Sequence, residues 1–372
     1  MFQTMRGFAR CVAVVAMTFS VAQAAAQSKD WTHCKNLDKS AAFEATVAGC
    51  DALIRSEHGR NLAVAHYYRA NAYRDHGDVD RAVADYGEAI KHDSKMAAAF
   101  VSRANLHRKR GAREQAIADY SAAVAADPGL VAVYQARAYE YHHKGDLDRA
   151  LADYDQIIKL DPKKASAFLN RGMIQRGRGD FDRAIADLSE AIRLDPKSVR
   201  AYVNRALAYN GKSDADHAIA DFSAAIRLEP KQFAALLNRA QLYRGKKDFD
   251  HAVEDFTAAI QVDRRSVVAF VGRGDAYRNK GEFDRALADF SEAIRLDPNQ
   301  AFAFQSRGIV HHNKRELDRA IADYTAAIRI DPTLANAYLN RGRAYQDTGE
   351  VDRAMDDFAK AKQLQRQAVT RP

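Results

Sequence analysis

Residues 165–198 read ASAFLNRGMIQRGRGDFDRAIADLSEAIRLDPKS, and closely similar 34-residue segments precede and follow them. Proline is favoured just after a helix end, because it cannot continue the helix. A period of 34 residues is the length of a helix–turn–helix repeat, so the sequence predicts an array of helix pairs. Six of the seven prolines follow this spacing: Pro128, Pro162, Pro196, Pro230, Pro298 and Pro332.

The repeats share one phase along the chain. Counting back from each proline gives nine full units over residues 63–368, with Arg264 at the one missing proline. Residues 27–62 form a partial N-terminal repeat or cap, and residues 369–372 form a tail. Positions 4, 8 and 11 of a unit share one helix face. The residue at position 8 is always small, which lets two helices approach closely. It is occupied by Ala70, Ala104, Ala138, Gly172, Ala206, Ala240, Gly274, Gly308 and Gly342.

This pattern resembles the tetratricopeptide repeat family over about 306 residues. The resemblance implies an all-α fold, a right-handed α-solenoid of helix-turn-helix repeats in which each first helix lines a concave groove. It also implies binding of a protein or peptide. Three residues, His66, Gln175 and Leu188, replace large apolar or aromatic side chains of the family pattern, so we expect looser packing there.

Two charged ladders run through the array. Position 7 is arginine and position 23 is aspartate in all nine units. We expect each arginine to pair with an aspartate within or between units and to set their register, since partly buried ion pairs mostly have that role. The alternative is an arginine stripe that binds acidic partners. In the central units the pairs are Arg171 with Asp187, Arg205 with Asp221, and Arg239 with Asp255.

Asparagines recur at position 6, opposite the apolar position 4. An amide side chain donates and accepts at once, so a row of them in the groove can hold an extended peptide by its backbone. The arrangement is similar to the tetratricopeptide domain of the O-linked N-acetylglucosamine transferase, although Gly272 and Ser306 interrupt it. The alternative is that asparagine simply suits a hydrated groove. The candidate residues are Asn170, Asn204, Asn238 and Asn340.

Basic residues recur at position 12, the next position predicted to face the groove. With Arg200 they favour an acidic peptide, whereas the alternative is a solvated charged face. The family's carboxylate clamp for chaperone C-termini is not intact, because position 5 holds residues such as Leu169 and Val203. The candidate peptide-binding arginines are Arg176, Arg200, Arg244 and Arg278.

No catalytic motif accompanies the repeats. The chain has no phosphate-binding loop, nucleophile elbow or zinc-peptidase motif, and its twelve histidines are scattered. We therefore expect no enzyme activity, no catalytic residue, no metal and no cofactor. The formal net charge is +8, but the sequence has no run of five like charges. Nucleic acid is therefore not expected as a partner. Alternatives to a peptide-binding scaffold are a self-associating structural solenoid and, more weakly, a glycan-binding groove.

The first 26 residues have the pattern of a secretory signal peptide. Two arginines precede a short apolar run at 11–19, and the Ala-Gln-Ala sequence at 22–24 and the Ala-Ala-Ala sequence at 24–26 both fit a cleavage site. No later segment contains 18 consecutive apolar residues, so we expect no transmembrane helix. These features predict an exported protein that is periplasmic or secreted after cleavage.

Two cysteines, Cys34 and Cys50, remain after such a cleavage. In an exported chain they predict a disulfide, which would stabilise the folded state by roughly 3 kcal/mol in the chain-entropy model. Free thiols are one alternative. A metal site formed by His33 and the two cysteines is a weaker alternative, because the spacing of these three residues matches no standard zinc pattern.

Overall fold

The computed structural model describes residues 29–37 and 39–370, in which it contains helices and no strands. The predicted signal peptide, residues 1–26, lies outside the described residues, as do the last two residues of the predicted tail. No described helix has the length and apolar character that crossing a membrane requires.

The helices form consecutive pairs from α3 onward, with an odd-numbered first helix and an even-numbered second helix. They are α1 (Lys29–Lys35), α2 (Phe43–Ser56), α3 (Gly59–His76), α4 (Val79–His92), α5 (Ala97–Lys109), α6 (Arg113–Ala126), α7 (Val131–Lys144), α8 (Leu147–Leu160), α9 (Ala165–Gly177), α10 (Phe181–Leu194), α11 (Val199–Gly211), α12 (Ala215–Leu228), α13 (Phe233–Gly245), α14 (Phe249–Val262), α15 (Val267–Lys280), α16 (Phe283–Leu296), α17 (Ala301–Asn313), α18 (Leu317–Ile330), α19 (Ala335–Thr348) and α20 (Val351–Thr370). This is an all-α repeat fold.

The chain divides into two compact units, residues 1–170 and residues 171–372, with the division inside α9. In the first unit, helices α1 and α2 precede three helix pairs. In the second unit, the first helices of neighbouring repeats contact one another, as α13 contacts α15 and α15 contacts α17. We call the exposed side of α11, α13, α15, α17 and α19 the first-helix surface of the second unit.

Two boundaries differ from the sequence prediction. Helix α3 begins at Gly59 and not at residue 63, because only Glu57 and His58 separate it from α2, without the longer turn that precedes the other first helices. Helix α20 continues to Thr370, so no separate tail begins at 369. Residues 351–370 contain neither glycine nor proline, and nothing in the sequence ends the helix earlier.

Helix α14 ends between the sixth and seventh repeats as the other second helices do, although Arg264 replaces the proline there. Helix α14 ends at Val262, and the Asp263 carboxylate accepts a hydrogen bond from the backbone N–H of Arg265 at 2.9 Å. Asp161 makes the same contact with the N–H of Lys163 at 3.1 Å in a repeat that has its proline. The aspartate turn therefore forms with or without the proline that follows it.

Glycine at position 8 gives the aromatic side chain of the second helix its place in the core. A Cβ added to Gly274 would lie 2.9 Å from the ring of Phe290, and one added to Gly308 would lie 2.8 Å from the ring of Tyr324. Both rings are fully buried. At Gly172 the neighbour is Leu188, which is itself fully buried, so this departure from the aromatic pattern leaves a packed contact.

Candidate binding surface

The arginines at position 7 and the aspartates at position 23 form bidentate pairs within each repeat. Arg205 donates from Nε and Nη2 to the two carboxylate oxygens of Asp221, both at 2.7 Å. Arg239 and Asp255 have the same geometry, and Arg171 meets Asp187 at 2.7 and 2.6 Å. The hydrogen bond with Asp221 raises the pKa of Arg205, and the aspartates are buried, so these arginines are internal groups.

The same arginines also contact the preceding repeat. Nη1 of Arg205 donates to the hydroxyl of Ser189 at 2.9 Å, and Nη1 of Arg239 donates to Ser223 at 2.7 Å. Both hydroxyls stand at position 25 of the repeat before. Four further pairs repeat this contact: Arg137 with Ser121, Arg273 with Thr257, Arg307 with Ser291, and Arg341 with Thr325. One guanidinium therefore joins two consecutive repeats.

A further ladder, missed in the sequence, crosses the repeats on their exposed side. Lysine at position 14 pairs with aspartate at position 18 of the preceding repeat, as Lys280 does with Asp250 at 2.6 Å. The recurrence of both residues at fixed spacing was the available signal. The other such pairs in the second unit are Lys212 with Asp182, Lys246 with Asp216, and Lys314 with Asp284.

The front of the first unit is closed by the Cys34–Cys50 disulfide, which joins α1 to α2. The two cysteines form an apolar cluster with Trp31, Leu53 and Ala65 of the first full repeat. In the described ranges, no three histidine, cysteine or acidic residues are grouped in a way that could hold a metal ion.

Three of the position-6 asparagines make hydrogen bonds within the protein, and their peptide-binding role stays a prediction. Asn204 is only 9 % exposed, and its Nδ2 donates to the backbone carbonyl of Arg200 at 2.7 Å. Asn238 makes the same bond to Ala234, and Asn170, which belongs to the first unit, hydrogen-bonds with Tyr154 of the preceding repeat. Position 6 faces the seam with the preceding repeat, which explains why the predicted projection into the groove is wrong for Asn204. Asn340 is half-buried.

The four candidate arginines all lie in the second unit. Arg200 is exposed, and its Nη2 lies 3.6 Å from the sulfur of Met173. Arg244 and Arg278 both bind the Asp275 carboxylate, at 3.0 and 3.2 Å. The Nε groups of Arg176 and Arg278 are buried without a hydrogen-bond partner.

The first-helix surface also carries apolar residues that sequence reasoning missed. Val268 and Phe302, at position 2 of neighbouring repeats, are 54 % and 61 % exposed. Their signal is a large apolar side chain at a position where most repeats have a small or polar residue, such as Ala234 or Asn336. Helix periodicity did not reveal them, because it marks residues that face the core.

Family models agree with the repeat architecture. Models described as tetratricopeptide repeat match residues 67–131, 137–209, 203–267 and 335–367, and one described as TPR repeat matches residues 274–314 and 316–349. The chain belongs to the tetratricopeptide repeat family. As a tetratricopeptide repeat protein, it is a protein-interaction scaffold. A search of curated proteins gives no match.

One of three similar solved structures has a TM-score above 0.5 and shows the same fold. The C-terminal part of a TPR repeat-containing protein from Cytophaga hutchinsonii has a TM-score of 0.56 at 17 % identity, with 64 % of this chain and 98 % of that one covered. MamA has a TM-score of 0.42 at 26 % identity, with 45 % and 97 % covered. YrrB, described as a TPR protein with an unusual peptide-binding site, has a TM-score of 0.46 at 22 % identity, with 50 % and 95 % covered.

The stability effect of removing one ladder arginine can be compared with that of removing an exposed lysine. Arg239→Met leaves the Asp255 carboxylate buried and unpaired, and should lower the free energy of unfolding by about 3 kcal/mol. The control Lys246→Met breaks only an exposed pair and should leave the unfolding midpoint nearly unchanged. Urea denaturation followed by circular dichroism measures both, and equal effects would contradict a structural role of the arginine ladder.

Proposed function

We propose that this tetratricopeptide repeat protein is a non-enzymatic scaffold that holds an extended peptide or a segment of a partner protein on its first helices. The observation that carries the proposal is the set of arginines on the first helices of the second unit. Unlike the position-7 arginines, these arginines do not form bidentate ion pairs with an aspartate of their own repeat. Arg176 and Arg278 each keep a buried Nε–H without a partner. An unsatisfied buried donor costs about 1–3 kcal/mol, so these two side chains are not optimally paired within the protein.

The charge of this surface supports an acidic ligand. Arg244 and Arg278 share the single carboxylate of Asp275, which leaves excess positive charge there, and Arg200 is exposed on the same first-helix surface. Charge complementarity of this kind contributes mainly to association rate and specificity. The position-6 asparagines have a secondary role, since Asn204 and Asn238 already bond within their own helices.

The place of action we propose is the cell envelope, either the periplasm or the secreted fraction. The N-terminal sequence pattern and the Cys34–Cys50 disulfide support it, because disulfides persist in oxidising compartments.

Site-specific photocrosslinking in cells tests the binding surface. A photoreactive amino acid at Asn336, exposed at position 2 of a first helix, should give protein adducts. The same substitution at Arg227, exposed on the second helix α12, should give few. Adding Arg278→Gln should weaken the adducts formed from position 336. Adducts formed only from position 227 would contradict binding on the first helices.

A second candidate function is self-association through the last repeat. Val351 and Met355 on α20 are 58 % and 64 % exposed. Their equivalents in the sixth repeat, Phe249 and Val253, pack against a cluster that includes Ala269 of the following repeat. The last repeat therefore presents an apolar face of the kind that another repeat covers elsewhere in the second unit.

Sedimentation velocity across a wide concentration range tests this second candidate. The wild-type chain should associate as its concentration rises, whereas the double variant Val351→Glu and Met355→Glu should remain monomeric because charge cannot be buried in an apolar contact. Val262→Glu, at an exposed position on α14, is the matched control and should associate as the wild type does. A wild-type chain that stays monomeric throughout would exclude self-association.

A further inference from the structure

Gly272 opens the first-helix surface at the junction of the sixth and seventh repeats. It stands at position 6, where the neighbouring repeats have Asn238 and Ser306. A Cβ added to Gly272 would lie 2.4 Å from Cζ of Phe256, so the ring of the preceding repeat occupies the space of the absent side chain. A pocket lies on this surface beside Gly272 and the fully buried ring of Phe256.

The walls of this pocket are mostly apolar and come from three successive first helices. Val267, Val268 and Val271 of α15 form one side, Phe302 of α17 another, and Gln241 and Arg244 of α13 close the third. Its volume is about 250 Å³, which suits a phenylalanine or leucine side chain. Burial of such a side chain would remove the exposed surface of Val268 and Phe302 from water, which is favourable.

A basic pocket adjoins the apolar one. It has a volume of about 330 Å³, and it shares Arg244 with the apolar pocket and adds Lys247, Arg278 and Asp275. Three cations and one carboxylate thus line this pocket. This neighbouring pocket therefore has the positive charge to bind an additional carboxylate.

We propose that these two adjoining pockets form an anchor for an acidic peptide segment of a partner protein. A bulky apolar side chain enters the pocket above Phe256, and a carboxylate close to it in the peptide binds Arg244 and Arg278. The inference rests on the proposed function of the first-helix surface and deepens it by naming the ligand chemistry and its location. A basic peptide is excluded, since Arg244, Lys247 and Arg278 would repel it.

Fluorescence anisotropy on the full chain provides the test. The probe is a fluorescein-labelled peptide with a central phenylalanine flanked by two aspartates on each side, in a glycine–serine background. Replacing the phenylalanine by alanine, or the aspartates by lysines, should weaken binding by about tenfold or more. A peptide without the phenylalanine that binds equally well would overturn the apolar half of the anchor.

Protein variants locate the binding site of the probe. Val268→Glu and Phe302→Ser change exposed side chains at the pocket and should each weaken binding by about tenfold. Tyr139→Ser removes an exposed aromatic side chain from a first helix of the other compact unit, and it should bind as the wild type does. Arg244→Gln should reduce both the affinity and its dependence on salt, whereas Arg227→Gln should change neither.

Failure of the anchor is distinguishable from failure of the proposed function. If Val268→Glu and Phe302→Ser bind the probe like the wild type, the anchor is wrong. Binding on the first helices then still stands if adducts form from position 336. If the wild-type chain does not bind the probe, the anchor is likewise overturned. If, in addition, adducts form only from position 227, the proposed function also fails.

Discussion

The structure depends on a guanidinium that is hydrogen-bonded on two sides. Each arginine at position 7 forms a fork with the aspartate of its own repeat, and in six repeats it also donates to a hydroxyl of the repeat before, as Arg205 does with Asp221 and Ser189. The planar guanidinium matches a carboxylate bidentately, and lysine cannot reproduce this geometry. A buried ion pair adds modest net stability against an apolar alternative, so we assign this link chiefly to register between repeats.

Because the ladder residues face the contact between neighbouring repeats, ligand specificity depends on the exposed positions that differ from repeat to repeat. Position 2 is the clearest case, since it holds Arg200 in the fifth repeat, Val268 in the seventh and Phe302 in the eighth. A repeated framework with a variable exposed surface can change its ligand without changing its packing. The same reasoning separates Arg244 and Arg278, which have a ligand-accessible side, from Arg239, which is used within the framework.

The sequence predicted the helix pairs well because the constraints behind them are local. Small residues at position 8 and aromatic or leucine side chains on the second helix meet in the core, as Gly308 and Tyr324 do. The role assigned to proline was too strong, because Asp263 forms the turn without it. The two helix ends at Gly59 and Thr370 were missed because the 34-residue count assumes that the first and last repeats are like the others.

The candidate site was less predictable, because it depends on contacts between repeats. A helical wheel of one helix directs position 6 away from its own core and contains no preceding repeat, so the burial of Asn204 was invisible to it. The hydroxyls at position 25 were overlooked for the same reason. The pocket at Gly272 requires knowing that Phe256 reaches across the seam, although the interruption of the asparagine row there was already visible in the sequence.

A double-mutant cycle between Arg239 and Ser223 tests most directly whether the ladder couples neighbouring repeats. The cycle compares Arg239→Met, Ser223→Ala and the double variant by urea denaturation, and isolates the bond between the repeats from the pair with Asp255. If the guanidinium joins the repeats, the two residues should show a favourable coupling free energy of about 1 kcal/mol. Additive effects, with no coupling beyond experimental error, would contradict a ladder that links one repeat to the next.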